Sequence, residues 1–241
     1  MSSIVHNADC MDMLRTIADK TYDLALVDPP YGLGRRLSSG GAAFAGRSAA
    51  KLYKDSSQWD IKPSREYWNE LFRVSKHQIV FGGNYFIEHL HASRGFIVWD
   101  KRQPLPQMSA CELVWTSFDK PSKIFPCTAQ NRQRFHPTQK PIEIYKFCLQ
   151  YANAKPSWHI LDTHLGSGAS RIATHELGAH FVGIERDLSY FNLQEQRFQE
   201  YRNGKTVHTH HRRQRQPKHR SISSSNNAST KTNTWHQLRI F

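Results

Sequence analysis

Apolar residues in this chain fall in short runs that alternate between two periods. Tyr22-Asp23-Leu24-Ala25-Leu26-Val27, His77-Gln78-Ile79-Val80-Phe81, Phe96-Ile97-Val98-Trp99, Trp158-His159-Ile160-Leu161 and His180-Phe181-Val182-Gly183-Ile184 are nearly continuous in apolar character. Runs of that kind predict strands covered on both faces. Between them lie segments at helical spacing: Met11, Leu14, Ile17 and Ala18 behind an Asp9 N-cap; Arg65 to Val74 with Tyr67, Trp68, Leu71 and Phe72; a helix over 85–92; Ile142 to Ala152 with Pro141 in its first turn; a helix ending near Leu177; and Ser189 to Tyr201. The alternation predicts an α/β fold with a doubly wound, mostly parallel sheet.

Two stretches break the pattern. Residues 32–58 carry Gly32, Gly34, Gly40 and Gly41 among Arg35, Arg36, Arg47, Lys51 and Lys54, with no apolar period. A loop of this length reads either as a solvated linker or as a mobile basic flap over a phosphate backbone. From Arg102 to Phe135 the alternation stops, and Pro104, Pro106, Pro121 and Pro126 punctuate two β-like runs, Glu112 to Phe118 and Lys123 to Phe125. These predict a small inserted element beside the active face. The expected organisation is a core over 1–201 followed by a basic, low-complexity tail over 202–241, poor in core-forming residues and expected to be disordered.

Charge changes the picture less than its total suggests. The formal charge is +13, but nine of the 33 Lys and Arg lie from Arg202 onward, leaving 24 basic against 20 acidic residues in 1–201. The balance of a nucleic-acid binder is thus mostly a property of the tail. Cys10, Cys111, Cys127 and Cys148 form no C-x-x-C pair and no regular spacing, which argues against a disulfide framework or a zinc site, so no metal is expected. No apolar run approaches the roughly 18 residues that span a bilayer, and the start of the chain lacks a basic region followed by an apolar stretch. A soluble protein of a reducing cytoplasm is expected.

Three positions carry candidate chemistry. Asp28-Pro29-Pro30-Tyr31 closes the first apolar run: a carboxylate followed by two prolines that cannot continue a ladder makes a rigid lip at a sheet's carboxyl edge, where open α/β sheets bind ligands. A carboxylate and a main-chain carbonyl held there could accept both N–H groups of an exocyclic amine and leave its lone pair aimed outward, with Tyr31 stacked on the base. Asp162 to Gly168 sits between a strand and a helix, so backbone N–H groups and a helix start face whatever binds there. Glu185 ends the next strand, about twenty residues on, where an acid reaches ribose hydroxyls. A dinucleotide site is a poor fit, because Arg171 stands where that fingerprint needs its third glycine.

Taken together, these motifs resemble the beta class of DNA amino-methyltransferases, and more narrowly its compact phage and prophage members. In that class D-P-P-Y precedes a cofactor motif D-P-F-x-G-S-G-T-T, an order met by Asp28 to Tyr31 and Asp162 to Ser170. An H-P-T-Q-K-P-like segment between them is matched by His136 to Pro141, an acidic-cysteine pair by Asp9-Cys10, and the ribose-binding acid by Glu185. The resemblance covers residues 4–201. It implies a Rossmann-like methyltransferase fold and S-adenosylmethionine as cofactor, with Asp28, Pro29, Pro30 and Tyr31 catalytic. It implies cofactor contacts from Asp9, Cys10, His136, Thr138, Lys140, Asp162, Thr163, His164, Gly166, Ser167, Gly168 and Glu185. Double-stranded DNA would be the partner, contacted by Arg35, Arg36, Arg47, Lys51, Lys101 and Arg102, with 102–135 as the target-recognition insert and a homodimer as the possible assembly.

The activity so implied is base flipping followed by methylation of adenine N6, since cytosine-N4 enzymes of the family more often have serine at the first motif position. Thr163-His164 and Ala169-Ser170 depart from the family pattern, which predicts altered cofactor affinity. Competing readings are an N4-cytosine enzyme and a catalytically impaired prophage DNA-binding remnant. Pro126-Cys127 superficially suits a cytosine-C5 enzyme, but the order of motifs is the reverse of that class. RNA or protein-glutamine enzymes usually carry N-P-P-Y after the cofactor motif.

Overall fold

Strand β2, Tyr22–Val27, runs through the middle of the sheet, paired in parallel with β3 (Ser75–Phe81) on one side and β7 (His159–Asp162) on the other. Its side chains divide by the period of two that a strand imposes: Leu24 and Leu26 enter one core, Ala25 and Val27 the other. Both faces are covered, which is why the run is apolar throughout rather than alternating. The computed structural model describes residues 1–33, 60–102, 109–128 and 134–204. All of them belong to one compact unit, Met1–His210.

The remaining strands are β1 (Ser3–Asn7), β4 (Phe96–Asp100), β5 (Cys111–Thr116), β6 (Lys123–Pro126) and β8 (His180–Glu185). They form an eight-stranded sheet in the order β1-β8-β7-β2-β3-β5-β4-β6. Every neighbouring pair is parallel except the two that involve β5, which runs against β3 and β4. On one face α3 (Ile142–Ala152), α4 (Ala169–Leu177) and α5 (Leu188–Arg202) bury Ile144, Leu149, Ile172 and Phe198 against Leu24, Ile79, Ile160 and Phe181. On the other, α1 (Cys10–Leu14) and α2 (Arg65–Val74) bury Leu14, Tyr67, Trp68 and Leu71 against Ala25, Val80 and Leu161. Burial of each such large side chain is worth about 1.5–3 kcal/mol. The doubly wound, mostly parallel α/β architecture is the one the apolar pattern predicts.

Several expectations need correction. The two β-like runs of 102–135 do not stand apart: β5 and β6 join the main sheet, with Val80 level with Trp115 and Val98 level with Ile124. The helix expected over 85–92 is a 3₁₀ turn, Gly83–Tyr85, followed by one turn closed by His89 N–H to the Phe86 carbonyl. Seating the fully buried Phe86 against Trp68 takes the place of helix propagation. Pro141 is the N-cap of α3 rather than a first-turn residue. Asp9 caps α1 as expected, accepting from Met11 N–H at 2.9 Å. Most of the 32–58 loop, with Arg35, Arg36, Arg47 and Lys51, lies outside the described residues, as does the tail from 205. Among the described residues no helix is long and apolar enough to cross a membrane.

Candidate active site

The parallel strands all end at one edge of the sheet, and register fixes which ends are neighbours. Asn7 at the end of β1 is level with Glu185 at the end of β8, and Asp162 at the end of β7 is level with Gly183. Asp9 and Cys10 follow β1, and Asp28 to Tyr31 follow β2, which pairs with β7 through Ala25 and Leu161. Because β5 is antiparallel, its beginning reaches the same edge, and this delivers Glu112 there.

The first half of the site is the turn between β7 and α4. Gly166 and Gly168 have φ of +52° and +74°, conformations that glycine adopts without strain. Glu185 braces the turn: its Oε2 accepts from Gly166 N–H at 2.7 Å and its Oε1 from Asp187 N–H at 2.8 Å. Burial raises the Glu185 pKa, with the backbone donors opposing it. Arg197 of α5 donates to the Ser167 carbonyl at 2.8 Å. Asp162 is fully internal, with Oδ1 accepting from His164 N–H and Oδ2 from the Ser170 hydroxyl at 2.5 Å. Burial pushes its carboxyl up to about 7. Asp162 therefore shapes the turn through its own hydrogen bonds.

Thr163 and His164, which stand where the resembled motif has proline and an aromatic, form a polar relay with α2. The Thr163 hydroxyl lies 2.7 Å from Tyr67 Oη and 2.9 Å from His164 Nδ1. Burial pulls the His164 pKa down to about 4, so its imidazole is neutral near pH 7. The ring meets Tyr67 edge-on at 5.3 Å.

The second half is a cluster of charged groups around Asp28. Lys140 Nζ donates to Asp28 Oδ2 at 2.6 Å and lies 3.1 Å from Glu112 Oε1 and 3.2 Å from Tyr31 Oη. The Tyr31 hydroxyl is 2.7 Å from Asp28 Oδ1 and 2.8 Å from Glu112 Oε1. Lys101 completes the set at 2.9 Å from Glu112 Oε2. Burial, aided by Glu112, holds the Asp28 carboxyl above its usual range in spite of Lys140. Burial pushes Glu112 the same way, but Lys140 and Lys101 outweigh it and bring that carboxyl down to about 2. Burial opposes the charge on Lys140, yet the two carboxylates keep its pKa raised.

The segment 136–141 physically joins the two halves. The His136 ring sits 3.4 Å from where a Cβ on Gly166 would lie, and packs edge-on to Tyr190 at 4.3 Å. Burial, with Lys140 and Arg134, pulls its pKa down to about 3. Thr138 lies beside it, its hydroxyl 3.2 Å from His136 Nδ1. Four residues after His136, Lys140 reaches Asp28.

Other expected roles look different in place. Tyr31 stacks on Tyr85 at 4.8 Å, so one face of its ring is already covered. Lys101 turns toward Glu112 and lies 5.2 Å over the Trp99 ring. Arg102 is exposed and pairs with Asp100 at 2.8 Å. Glu112, Tyr67, Tyr85 and Arg197 contact the candidate site and were missed by sequence reasoning. For Glu112 the available signal was a lone acid opening the apolar run Leu113-Val114-Trp115.

A family described as DNA methylase matches residues 97–196, from β4 into α5. The type II methyltransferase M.HinfI of Haemophilus influenzae is 24% identical over 80% of this chain and 67% of its own length. M2.MboI of Moraxella bovis, also a type II methyltransferase, is 22% identical over 81% of this chain and 87% of its own. Among solved structures, a candidate DNA modification methylase of Thermus thermophilus complexed with S-adenosyl-L-methionine superposes with a TM-score of 0.53, at 15% identity over 81% of this chain and 94% of that one. The cytosine-N4-specific PvuII DNA methyltransferase gives 0.56 at 12% identity, over 81% and 86%. These structural likenesses extend the agreement in fold. The family match spans the antiparallel strand that carries Glu112, the bridging segment and the glycine turn alike, so over these elements the chain is similar to DNA methylases.

Proposed function

We propose that this chain transfers a methyl group from S-adenosylmethionine to the exocyclic N6 amine of an adenine in double-stranded DNA. The observation that carries the reading is the bridge from His136, on the glycine turn, to Lys140, on Asp28. It sets a carboxylate suited to an amine beside a turn suited to a nucleoside cofactor.

The residues present fit that cofactor. The Glu185 oxygens hold the backbone N–H groups of Gly166 and Asp187, and a carboxylate has acceptor capacity beyond these for ribose hydroxyls. Helix α4 begins at Gly168 without a side-chain cap, so its first turn can offer N–H groups to the methionine end. Glu185, Gly166, Ser167 and Gly168 would hold the cofactor, with Asp9 and Cys10 beside the neighbouring strand end and His136 over the turn. Held there, S-adenosylmethionine would supply an electrophilic methyl group with a neutral thioether as its leaving group.

The chain's own residues do the rest. An aromatic amine is a weak nucleophile because its lone pair is delocalised. Asp28 accepts one of its N–H groups, and the Pro29 carbonyl, which takes part in no hydrogen bond among the described residues, is positioned in sequence to accept the other. The amine loses a proton on methylation, and Asp28, held above its usual pKa by burial, is the nearby acceptor. Flipping the base out of the stack costs a few kcal/mol. Arg35, Arg36, Arg47 and Lys51, with exposed Arg102, would offset part of that through phosphate contacts that carry no sequence information. The choice of adenine over cytosine rests on Asp28 at the first motif position.

Transfer of labelled methyl to duplex DNA followed by nucleoside analysis tests the reading. N6-methyladenine is the expected product. N4-methylcytosine would overturn the base assignment, and absence of transfer would remove the reaction.

A further inference from the structure

Both oxygens of Asp28 are occupied before any substrate is present: Oδ2 by Lys140 and Oδ1 by the Tyr31 hydroxyl. An amine that takes Asp28 as acceptor shares its lone pairs with these donors, and a Lys140 ammonium 2.6 Å away weakens the carboxylate as an acceptor for as long as it stays there. Releasing a buried ammonium without another partner is costly, because an unpaired buried charge loses both its counter-ion and its water. The structure places the alternative partner at hand. Lys140 Nζ and Tyr31 Oη are also 3.1 Å and 2.8 Å from one further atom, Glu112 Oε1. Tyr31 has a single phenolic proton, so it serves one carboxylate at a time. Lys101 anchors the other Glu112 oxygen, so Oε1, already within reach of both donors, can take them over fully.

We propose that Glu112 is a positioning residue that takes over Lys140 and the Tyr31 hydroxyl from Asp28 when the substrate amine arrives, so that Asp28 changes partners without leaving a buried charge unpaired. No bond to carbon is made or broken in this exchange; two donors move from Asp28 to Glu112 and one hydrogen bond, from the amine to Asp28, is formed. The proposal rests on the methyl-transfer reading and assigns to it a residue on a strand outside the sequence motifs. Without the Glu112 charge, Lys140 stays on Asp28 and competes with the amine. Removing the lysine as well should relieve that competition.

The test uses the full chain, duplex DNA and S-adenosylmethionine. Glu112→Gln is expected to lower kcat about 10- to 100-fold, the scale on which misplaced catalytic groups act, with cofactor affinity by calorimetry and KM for DNA within a few-fold. Glu112→Asp, which keeps the charge, should recover part of the loss. Adding Lys140→Met to Glu112→Gln should raise kcat above that of Glu112→Gln alone. Unchanged kcat in Glu112→Gln, or a double variant no faster than the single, overturns the exchange. If Glu112→Gln fails to fold by circular dichroism, the folded Glu112→Asp and Lys140→Met variants carry the decision: additive losses of kcat in their combination overturn the coupling, and non-additive losses support it. Wild-type protein that transfers no methyl to DNA takes down the parent reading, whereas an active wild type with an indifferent Glu112 takes down this inference alone.

Discussion

Gly82 leaves no room for a side chain beside Tyr31: a Cβ at that position would lie 2.5 Å from the Tyr31 ring, and the backbone there has φ of +64°. The glycine at the end of β3 is what lets the Tyr31 ring lie flat against Tyr85 with its hydroxyl on Asp28. Gly82→Ala should therefore cost about 1–2 kcal/mol of backbone strain alone and displace the ring besides. Thermal unfolding should show a modestly destabilised fold, while methyl transfer falls much further, with cofactor affinity retained. Full activity in the alanine variant would mean that the position of Tyr31 is immaterial.

On the proposed reading, Asp28 and Glu185 divide the labour of the site. Asp28→Ala should abolish transfer while leaving S-adenosylmethionine affinity within a few-fold, because Lys140 keeps Glu112 as a counter-ion and the glycine turn is untouched. Glu185→Ala removes the acceptor of Gly166 N–H and should weaken the cofactor first. Calorimetry on both variants, paired with transfer assays, separates the two roles, and identical behaviour would refute the division.

Neutral His164 links stability to pH. Burial lowers its pKa from 6.5 to about 4, so below pH 6.5 the unfolded chain takes up a proton that the folded chain refuses. The unfolded state then binds more protons, and stability falls as pH drops through that window, by up to about 1.4 kcal/mol per pH unit for one site. His164→Phe removes this contribution. Denaturant titrations at pH 7 and pH 5 should show a smaller acid loss in the variant; equal losses would mean that His164 titrates normally in the fold.

Arg171 occupies the position at which a dinucleotide fingerprint needs glycine, and its use here is structural. Its guanidinium, almost wholly buried, bonds Ser3 Oγ at 2.9 Å, Gln194 Oε1 at 3.1 Å and Glu195 Oε2 at 2.5 Å, and lies 3.8 Å from the centre of the Phe198 ring. It ties α4 to α5 and to the start of β1. Glu195→Gln leaves this buried charge without its carboxylate and should cost about 1–3 kcal/mol. Chemical denaturation measures it, and transfer kinetics should change little.

Much of the fold and half of the site are local properties of the chain. Continuous apolar runs give the central parallel strands because only strands covered on both faces tolerate them, and the motifs at Asp28, Asp162 to Gly168 and Glu185 lie at strand ends whatever the strand order. Sequence also determines the Asp9 cap, since a capping side chain acts within its own turn. Tertiary structure alone decides which strand ends are neighbours. The antiparallel course of β5 turns the beginning of a run into an active-edge residue, so Glu112 comes to hold Tyr31 and Lys140 across large distances in sequence. Packing also overrides local pattern at 85–92, where burying Phe86 outweighs helical spacing, and it joins Tyr67 of α2 to Thr163 beyond β7. Periodicity reports which face of an element is buried, whereas a buried cluster of charges exists only where topology brings distant carboxylates and ammonium groups together.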